Sequence, residues 1–452
     1  TWGWPAGGGP HNDIGGSEAV RSHMLDLVQC IGNNTSLSDR DCDGSSVNSI
    51  DAEGAVFLYP SDEMSNYLGT FEAGTFFTNG WRTSGAEEWN VVPDTGPSVS
   101  TVYNNVLCAI GGTMIYSTTY DPTAGAVGPQ VSIQLGALGI GLVAFIIMLS
   151  VDYRWLSDSS LVIFVGLLAL LGYALVFGAT GGGARRWIDL GAFNLQPSEF
   201  ARIVVALGLA TLFCDRRWGP QNPGGWLIAA LIVGLPFLLI AQQPDLGTAV
   251  TLLPVCFVIL VFAGLRLRYV AVLVALAILS APVAWTYGLE DYQRQRLSSF
   301  LDPEQDARGA GYQQIQARIT VGSGGPMGKG FLQGTQSQYN FLPVAHNDFI
   351  FSVLAEEQGF LGVVVALGLY LFVIMRGLDA ARLAKDRLGT YLVVGVMSGF
   401  AFQVIYNIAM SAGLAPVKGL TLPLMSYGGS SVVATLAAFG LVLNVRMRRF
   451  TN

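Results

Sequence analysis

The run HNDFIFSVLAEEQGFLGVVVALGLYLFVIMR, His346 to Arg376, opens like a polar loop and closes as an apolar segment. From Phe349 to Met375 it has the length of a membrane helix, which needs ~20 apolar residues to cross a hydrocarbon core of ~30 Å. Yet it carries Asp348 at its start and Glu356 and Glu357 well inside. At 1.5 Å per residue an unbroken helix would carry Glu356 roughly 12 Å deeper than Asp348. A charge at that depth costs several kcal/mol, so these carboxylates do not serve lipid contact.

Working outward, nine further apolar segments fall near 102–120, 131–150, 159–179, 197–213, 225–241, 247–264, 269–286, 389–413 and 430–445. Only helices satisfy every backbone group in spans of this kind. The fold class is therefore all-α: a ten-transmembrane-helix bundle with a long extracytoplasmic loop, about 287–348, between helices 7 and 8. Composition agrees, with 51% hydrophobic and 12% charged residues and a mean hydropathy of +0.48. Soluble domains carry about twice that charged fraction. No basic stripe with interleaved aromatics is present, which argues against nucleic acid as a partner.

Residues 1–100 differ. They hold 14 acidic residues against three arginines and no lysine, with no apolar run long enough to span. They read as an acidic extramembrane extension, and residues 101–452 as the membrane domain. The five cysteines form no framework. Cys30 and Cys42 could pair only if the extension faces an oxidising compartment. His11, His23 and His346 are too scattered for a zinc cluster.

Loop charges set the orientation. Arg154, Arg216, Arg217, Arg266, Arg268, Arg376, Arg382, Lys385, Arg387, Arg446, Arg448 and Arg449 all gather on one side, which is then cytoplasmic. The informative cations are those on the other side: Arg185, Arg186, Lys329 and Lys418, with Arg202 near the outer end of helix 4. They suit an anion at the outer face, such as a lipid diphosphate; pairing with external carboxylates or headgroups is the competing reading.

Four stretches carry candidate chemistry. GGGARRWIDLGAFNLQPSEFARI, Gly181–Ile203, is a glycine-rich loop entering helix 4 at Pro197, with Glu199 and Arg202 on one helix face. They are either a self-contained ion pair or the wall of a substrate cavity. AQQPDLGTAV places Asp245 in the turn between helices 5 and 6, where capping the next helix is the plainer role. GSGGPMGKG in the long loop lacks the spacing of a phosphate loop, which excludes nucleotide binding. LAPVKGLTLPLMSYGGSSVV, Leu414–Val433, breaks the helical pattern as a re-entrant turn would where backbone lines a cavity. Asp348 itself is open to two readings, a helix N-cap or an acid–base group, and Glu356 and Glu357 to interhelical hydrogen bonding.

GARRWIDLG with QPSEF, QPDLGTAV, the GSGG…GKGF…GTQSQ…FLP run, HNDFIFSVLAEE and PLMSYGGSS, taken in that order over roughly Asn105 to Arg449, resemble the SEDS family (shape, elongation, division and sporulation proteins). GTQSQYNFLP and QPDLGTAV are more similar to its RodA branch, PVKGLTLP to its FtsW branch. The resemblance implies a bacterial inner-membrane, multi-pass peptidoglycan glycosyltransferase that polymerises lipid II for cell-wall elongation and cell shape, releasing undecaprenyl diphosphate and working with a class B penicillin-binding protein. It maps the family's essential aspartate onto Asp348 as catalytic base, and points to Arg186, Trp187, Glu199 and Arg202 around the cavity. Lys329, His346 and Lys418 join them as candidate substrate contacts, with Asp245, Glu356 and Glu357 as structural or cavity carboxylates. No cofactor is evident; a Mg²⁺ ion would suit the diphosphate, but no ligand set for it appears. The alternatives are a lipid II flippase and the division polymerase. Three departures stand out: Val344 replaces the family's usual Glu, Asn347 its usual Thr, and the acidic residues 1–100 have no family counterpart.

Overall fold

The computed structural model describes residues 99–121, 126–181, 184–189, 191, 194–218, 222–265, 269, 279, 286, 291–306, 309–339 and 341–448. Residues 1–98 of the acidic extension, with Cys30 and Cys42, His11 and His23, then Arg266, Arg268 and Arg449, and nearly all of the segment expected at 269–286 lie outside the described residues.

The chain is mostly helical. Helix α1 (Val99–Thr119) leads through a short antiparallel ribbon, β1 (Tyr120–Asp121) with β2 (Ala126–Val127), into α2 (Gln130–Ser150). There follow α3 (Tyr153–Asp158), α4 (Ser160–Phe177) and a three-stranded antiparallel meander of β3 (Ala179–Gly181), β4 (Ala184–Asp189) and β5 (Asn194–Leu195). Then come α5 (Pro197–Cys214), α6 (Pro223–Gln242), α7 (Leu246–Val250) and α8 (Leu252–Phe262). After the undescribed segment come α9 (Asp291–Leu301), α10 (Ala310–Ser323), α11 (Thr335–Gln338), α12 (Ile350–Arg382), α13 (Arg387–Ser411) and α14 (Gly429–Met447).

Among the described residues, seven helices are long and apolar enough to cross a membrane. The expected first span is a helix, α1, but Asn104, Asn105 and its string of threonines dilute its apolarity. The expected sixth span is two shorter pieces, α7 and α8, divided at Thr251. The long helices divide by burial. In α5, α13 and α14 the apolar windows are 67%, 61% and 78% buried, whereas in α2 and α4 the figure is 17%. Helices α5, α13 and α14 thus form the interior of the bundle, and α2 and α4 present their aliphatic side chains outward. Helix α13 packs against α5, α8 and α12, and α14 against α2. The α2–α14 contact is close: a side chain on Gly440 would collide with the Phe145 carbonyl.

One expectation is corrected. Helix α12 spans 33 residues, ~50 Å if straight, far more than a ~30 Å core needs. It is broken at Gly359, whose φ of 66° and ψ of −163° are not helical. Glu356 and Glu357 therefore lie just before the break and not deep in an unbroken span. The backbone of 325–330 crosses there: Phe360 N donates to Gly325 O, and Lys329 N to Glu356 O. The ~23 residues after the break suffice to cross the bilayer.

The segment between α13 and α14 is an irregular chain packed inside the bundle. Such backbone must find partners, and side chains of neighbouring helices supply them. Asn407 Nδ2 donates to Leu420 O (2.6 Å), Gln403 Nε2 to Thr421 O (2.9 Å), Tyr370 Oη to Pro423 O (2.6 Å) and Gln134 Nε2 to Ser426 O (3.2 Å).

Candidate functional site

Four elements converge on Asp348. It lies in the turn just before α12, where the helix cap position is Phe349 and no side chain caps the helix. The capping role is thus not the one Asp348 plays. Its backbone carbonyl accepts from Asn407 Nδ2 (2.9 Å), so the amide that holds Leu420 also holds Asp348. The irregular segment passes directly over it, and a Cβ on Gly419 would sit 3.5 Å from Asp348 Oδ2.

The second element is the meander. On β4, Arg185 is exposed and reaches the Val176 carbonyl (3.5 Å), while Arg186 turns the other way. Arg186 Nη1 lies 3.7 Å from Asp245 Oδ1, and its guanidinium carbon stands 5.1 Å from the centre of the Trp187 ring. The third is the α6–α7 turn. Asp245 caps α7, accepting from Thr248 N (3.3 Å) and Thr248 Oγ1 (2.9 Å), and accepts Gln196 Nε2 (3.0 Å). The capping role read from sequence is therefore met, and the same carboxylate faces Arg186. The fourth element is α9, which supplies Arg296.

The charges acting on Asp348 are Arg296, Arg186 and Asp245. Burial pushes its carboxyl up to about 6, against the pull of Arg296 and then Arg186, while Asp245 adds to the rise. Lys418 shares the neighbourhood: burial lowers its titration, and Arg296 lowers it further. His346 stacks edge-on against Tyr427, centroids 5.6 Å apart, and burial holds its imidazole below its usual titration range. The result is a partly buried carboxylate titrating close to neutrality, ringed by Arg186, Arg296 and Lys418.

Two expected groups stand elsewhere. Glu199 and Arg202 form a buried ion pair of 2.9 Å on α5, and Arg202 lines a small cleft with Phe400 and Thr435. Lys329 is not brought to Asp348 at all. Its ammonium lies 2.7 Å from Glu356 Oε1, 2.7 Å from Thr335 Oγ1 and 3.0 Å from Ser323 Oγ, three acceptors for three donors. Glu356, fully buried, also accepts the backbone N–H groups of Gln336 (3.0 Å) and Ser337 (3.3 Å). Glu357 accepts from Ser117 on α1. These glutamates make the interelement hydrogen bonds that sequence offered as one reading.

Arg296 and Gln196 are the site residues that sequence reasoning did not single out. The signal for Arg296 was present: it is another cation in the loop expected outside. Gln196 had only its place beside Pro197. For a divalent metal the donor set is poor. Among the described residues no three acidic, histidine or cysteine side chains cluster, and guanidinium groups already face Asp245 and Asp348.

The comparisons agree with one another. The family model for FtsW, RodA and SpoVE, described as cell cycle protein, matches residues 99–450. The peptidoglycan glycosyltransferase MrdB of Escherichia coli K12 is 42% identical over 316 residues, 70% of this chain and 85% of MrdB. A probable peptidoglycan glycosyltransferase FtsW of Geobacter metallireducens is 37% identical over 314 residues, 68% of this chain and 82% of that protein. Among solved structures, a chain of a peptidoglycan synthase complex that coordinates polymerization and crosslinking aligns with a TM-score of 0.68 at 33% identity, covering 78% of this chain and 98% of that one. The rod shape determining protein RodA of Thermus thermophilus aligns with a TM-score of 0.58 at 30% identity, covering 78% and 97%.

Proposed function

The chain belongs to the FtsW/RodA/SpoVE family of cell cycle proteins, and on that premise we propose that it is a peptidoglycan glycosyltransferase that polymerises lipid II into glycan strands. The observation that carries the reading is Asp348, titrating at about 6 between cations at the mouth of a helical bundle. A general base works best when its pKa lies near the working pH, and a departing diphosphate needs positive charge where its own charge develops.

The reaction is an inverting glycosyl transfer. Asp348 takes the proton of the acceptor sugar hydroxyl as that oxygen bonds to the anomeric carbon. The bond from that carbon to the diphosphate breaks, and its electron pair leaves with undecaprenyl diphosphate. Arg186, Arg296 and Lys418 receive that charge, with Trp187 and His346 bordering the sugars. Asp245 and Gln196 hold Arg186 in place, and the Glu199–Arg202 pair borders, through Arg202, the separate small cleft with Phe400 and Thr435. Lys329 acts by holding the 323–337 loop onto Glu356. The guanidinium groups supply the charge that a Mg²⁺ ion would bring.

The membrane domain is read as ten helices, with the 269–286 segment as the seventh and the 287–348 loop outside. The basic ends of α12 and α14 then face the cytoplasm, and Asp348 faces the outer side of the bacterial inner membrane. The greater identity to MrdB than to FtsW favours a role in cell-wall elongation over division. A class B penicillin-binding protein is the partner this reading requires for crosslinking.

The test uses the purified full chain in detergent with fluorescent lipid II, with and without such a partner. Wild type is expected to make strands resolved on a gel, and Asp348→Asn to make none while remaining folded. Near-normal turnover by Asp348→Asn would remove the base. Absence of strands from wild type even with its partner would shift the assignment to lipid II transport, measured next in vesicles.

A further inference from the structure

A small cleft opens far from Asp348, where α12 and α14 approach their last turns and α1 begins. Phe145, Val373 and Val442 give it apolar walls, and Asn104, Arg376 and Arg446 its polar ones. We propose that it binds the headgroup of an anionic glycerophospholipid that carries a free headgroup hydroxyl, of which phosphatidylglycerol is the simplest example.

Two polar atoms in the cleft lack what such a headgroup offers. Arg376 Nε is buried without an acceptor, and the guanidinium carbon stands 5.5 Å from the centre of the Phe372 ring. Asn104 is 4% exposed, and its Oδ1 is buried without a donor. Leaving such groups unmatched is unfavourable. A phosphodiester accepts from the guanidinium, and a hydroxyl beside it donates to the amide oxygen. One headgroup supplies both.

The surroundings favour a lipid over a soluble phosphate. Next to the cleft, Leu142, Val143 and Ile146 on α2 and Leu371 and Met375 on α12 are each more than half exposed, forming a track for acyl chains. Basic clefts between membrane helices at the positive end of a bundle suit anionic headgroups. The close α2–α14 contact at Gly440 gives the site a fixed wall. The inference does not rest on the glycosyltransferase reading, since nothing in the cleft touches Asp348.

Native mass spectrometry of the full chain, titrated with phosphatidylglycerol or phosphatidylcholine, tests it. Wild type is expected to retain one phosphatidylglycerol in preference to phosphatidylcholine. Arg376→Gln should weaken phosphatidylglycerol about five-fold, equivalent to ~1 kcal/mol for one basic residue near a headgroup, and leave phosphatidylcholine unchanged. Arg376→Lys should keep most of the preference. Asn104→Ala should abolish discrimination between phosphatidylglycerol and phosphatidylmethanol, which has the same charge but no headgroup hydroxyl. If Arg376→Gln misfolds, Arg376→Lys and Asn104→Ala carry the test. Equal retention of both lipids by wild type, or full phosphatidylglycerol affinity in Arg376→Gln, overturns the site. Competition by free glycerol phosphate as effective as that by the lipid overturns the lipid assignment.

Discussion

Asp348→Asn should leave the protein more stable and without polymerase activity. A carboxyl that titrates at about 6 instead of 3.8 disfavours its ionised form in the folded protein by about 3 kcal/mol at neutral pH. Asp348 is only partly buried, so solvent screening brings the figure to about 1–3 kcal/mol. Asparagine has nearly the same shape and no charge, so it removes that term. The sign follows from the raised pKa: the folded state binds the proton more tightly than the unfolded one, so wild type gains stability as pH falls through 6 and gains no more below about 3.8. The advantage of the variant should accordingly be greatest at pH 7–8, shrink through pH 6 and vanish near pH 4. Thermal unfolding of both proteins in one detergent across that range measures it. A variant less stable than wild type at pH 8, or an advantage independent of pH, would refute the argument that a partly buried, functional charge sits here at the expense of stability.

Three further outcomes follow from the same geometry. The acid limb of kcat/KM should lie near pH 6, with activity falling about ten-fold from pH 7 to pH 5 if one base is titrated, and Arg296→Gln should move that limb upward by roughly one pH unit, since it removes the foremost cation holding Asp348 ionised; a limb that stays in place excludes Arg296 from the site. Asn407→Ala strips the amide donor from both Asp348 O and Leu420 O, and unfolding should show a loss of about 1–3 kcal/mol together with a fall in kcat; an unchanged midpoint would mean the irregular segment is held by its other contacts. Lys329→Met leaves Glu356 charged and buried, which should destabilise by about 3–5 kcal/mol, with Lys329→Met/Glu356→Gln recovering part of the loss; an unaltered midpoint with a raised KM for lipid II would return Lys329 to the substrate.

Most of the helical framework was legible because bilayer length and apolar composition are local properties of a chain. Asp245 was legible as a cap for the same reason: Asp-Leu-Gly-Thr after a Pro specifies a helix start from adjacent residues alone. The fate of Lys329 was not. Its position among glycines in the loop before α12 resembles an anion site, and only the fold brings Glu356, 27 residues later, within 2.7 Å. The break at Gly359 escaped for a related reason. Glycine is common in apolar helices of this chain, and nothing local distinguishes Gly359 from Gly362 or Gly368. What distinguishes it is the 324–330 backbone crossing at that point, where a side chain on Gly359 would collide with Gly328. Arg296 combined both difficulties, being one arginine among several polar residues until α9 is placed against the turn before α12.

The break also explains how one helix serves two purposes. A continuous α12 would carry Glu356 and Glu357 into the bilayer, where their charge would oppose insertion. Ending the regular helix at Gly359 keeps residues 350–358 as a separate buried piece with an anchor at each end. At its beginning the Asp348 carbonyl is tied to Asn407 of α13. At its end Glu356 gathers Lys329, Thr335 and the backbone of 336–337, and Glu357 reaches Ser117 of α1. The carboxylate assigned to chemistry therefore sits on a short rigid element fixed from both sides, as positioning within a fraction of an ångström demands. The membrane-crossing part after Gly359 remains free of charge until Arg376. Catalytic placement and bilayer insertion make opposite demands on charged residues, and a single glycine separates the two parts of α12 that meet them.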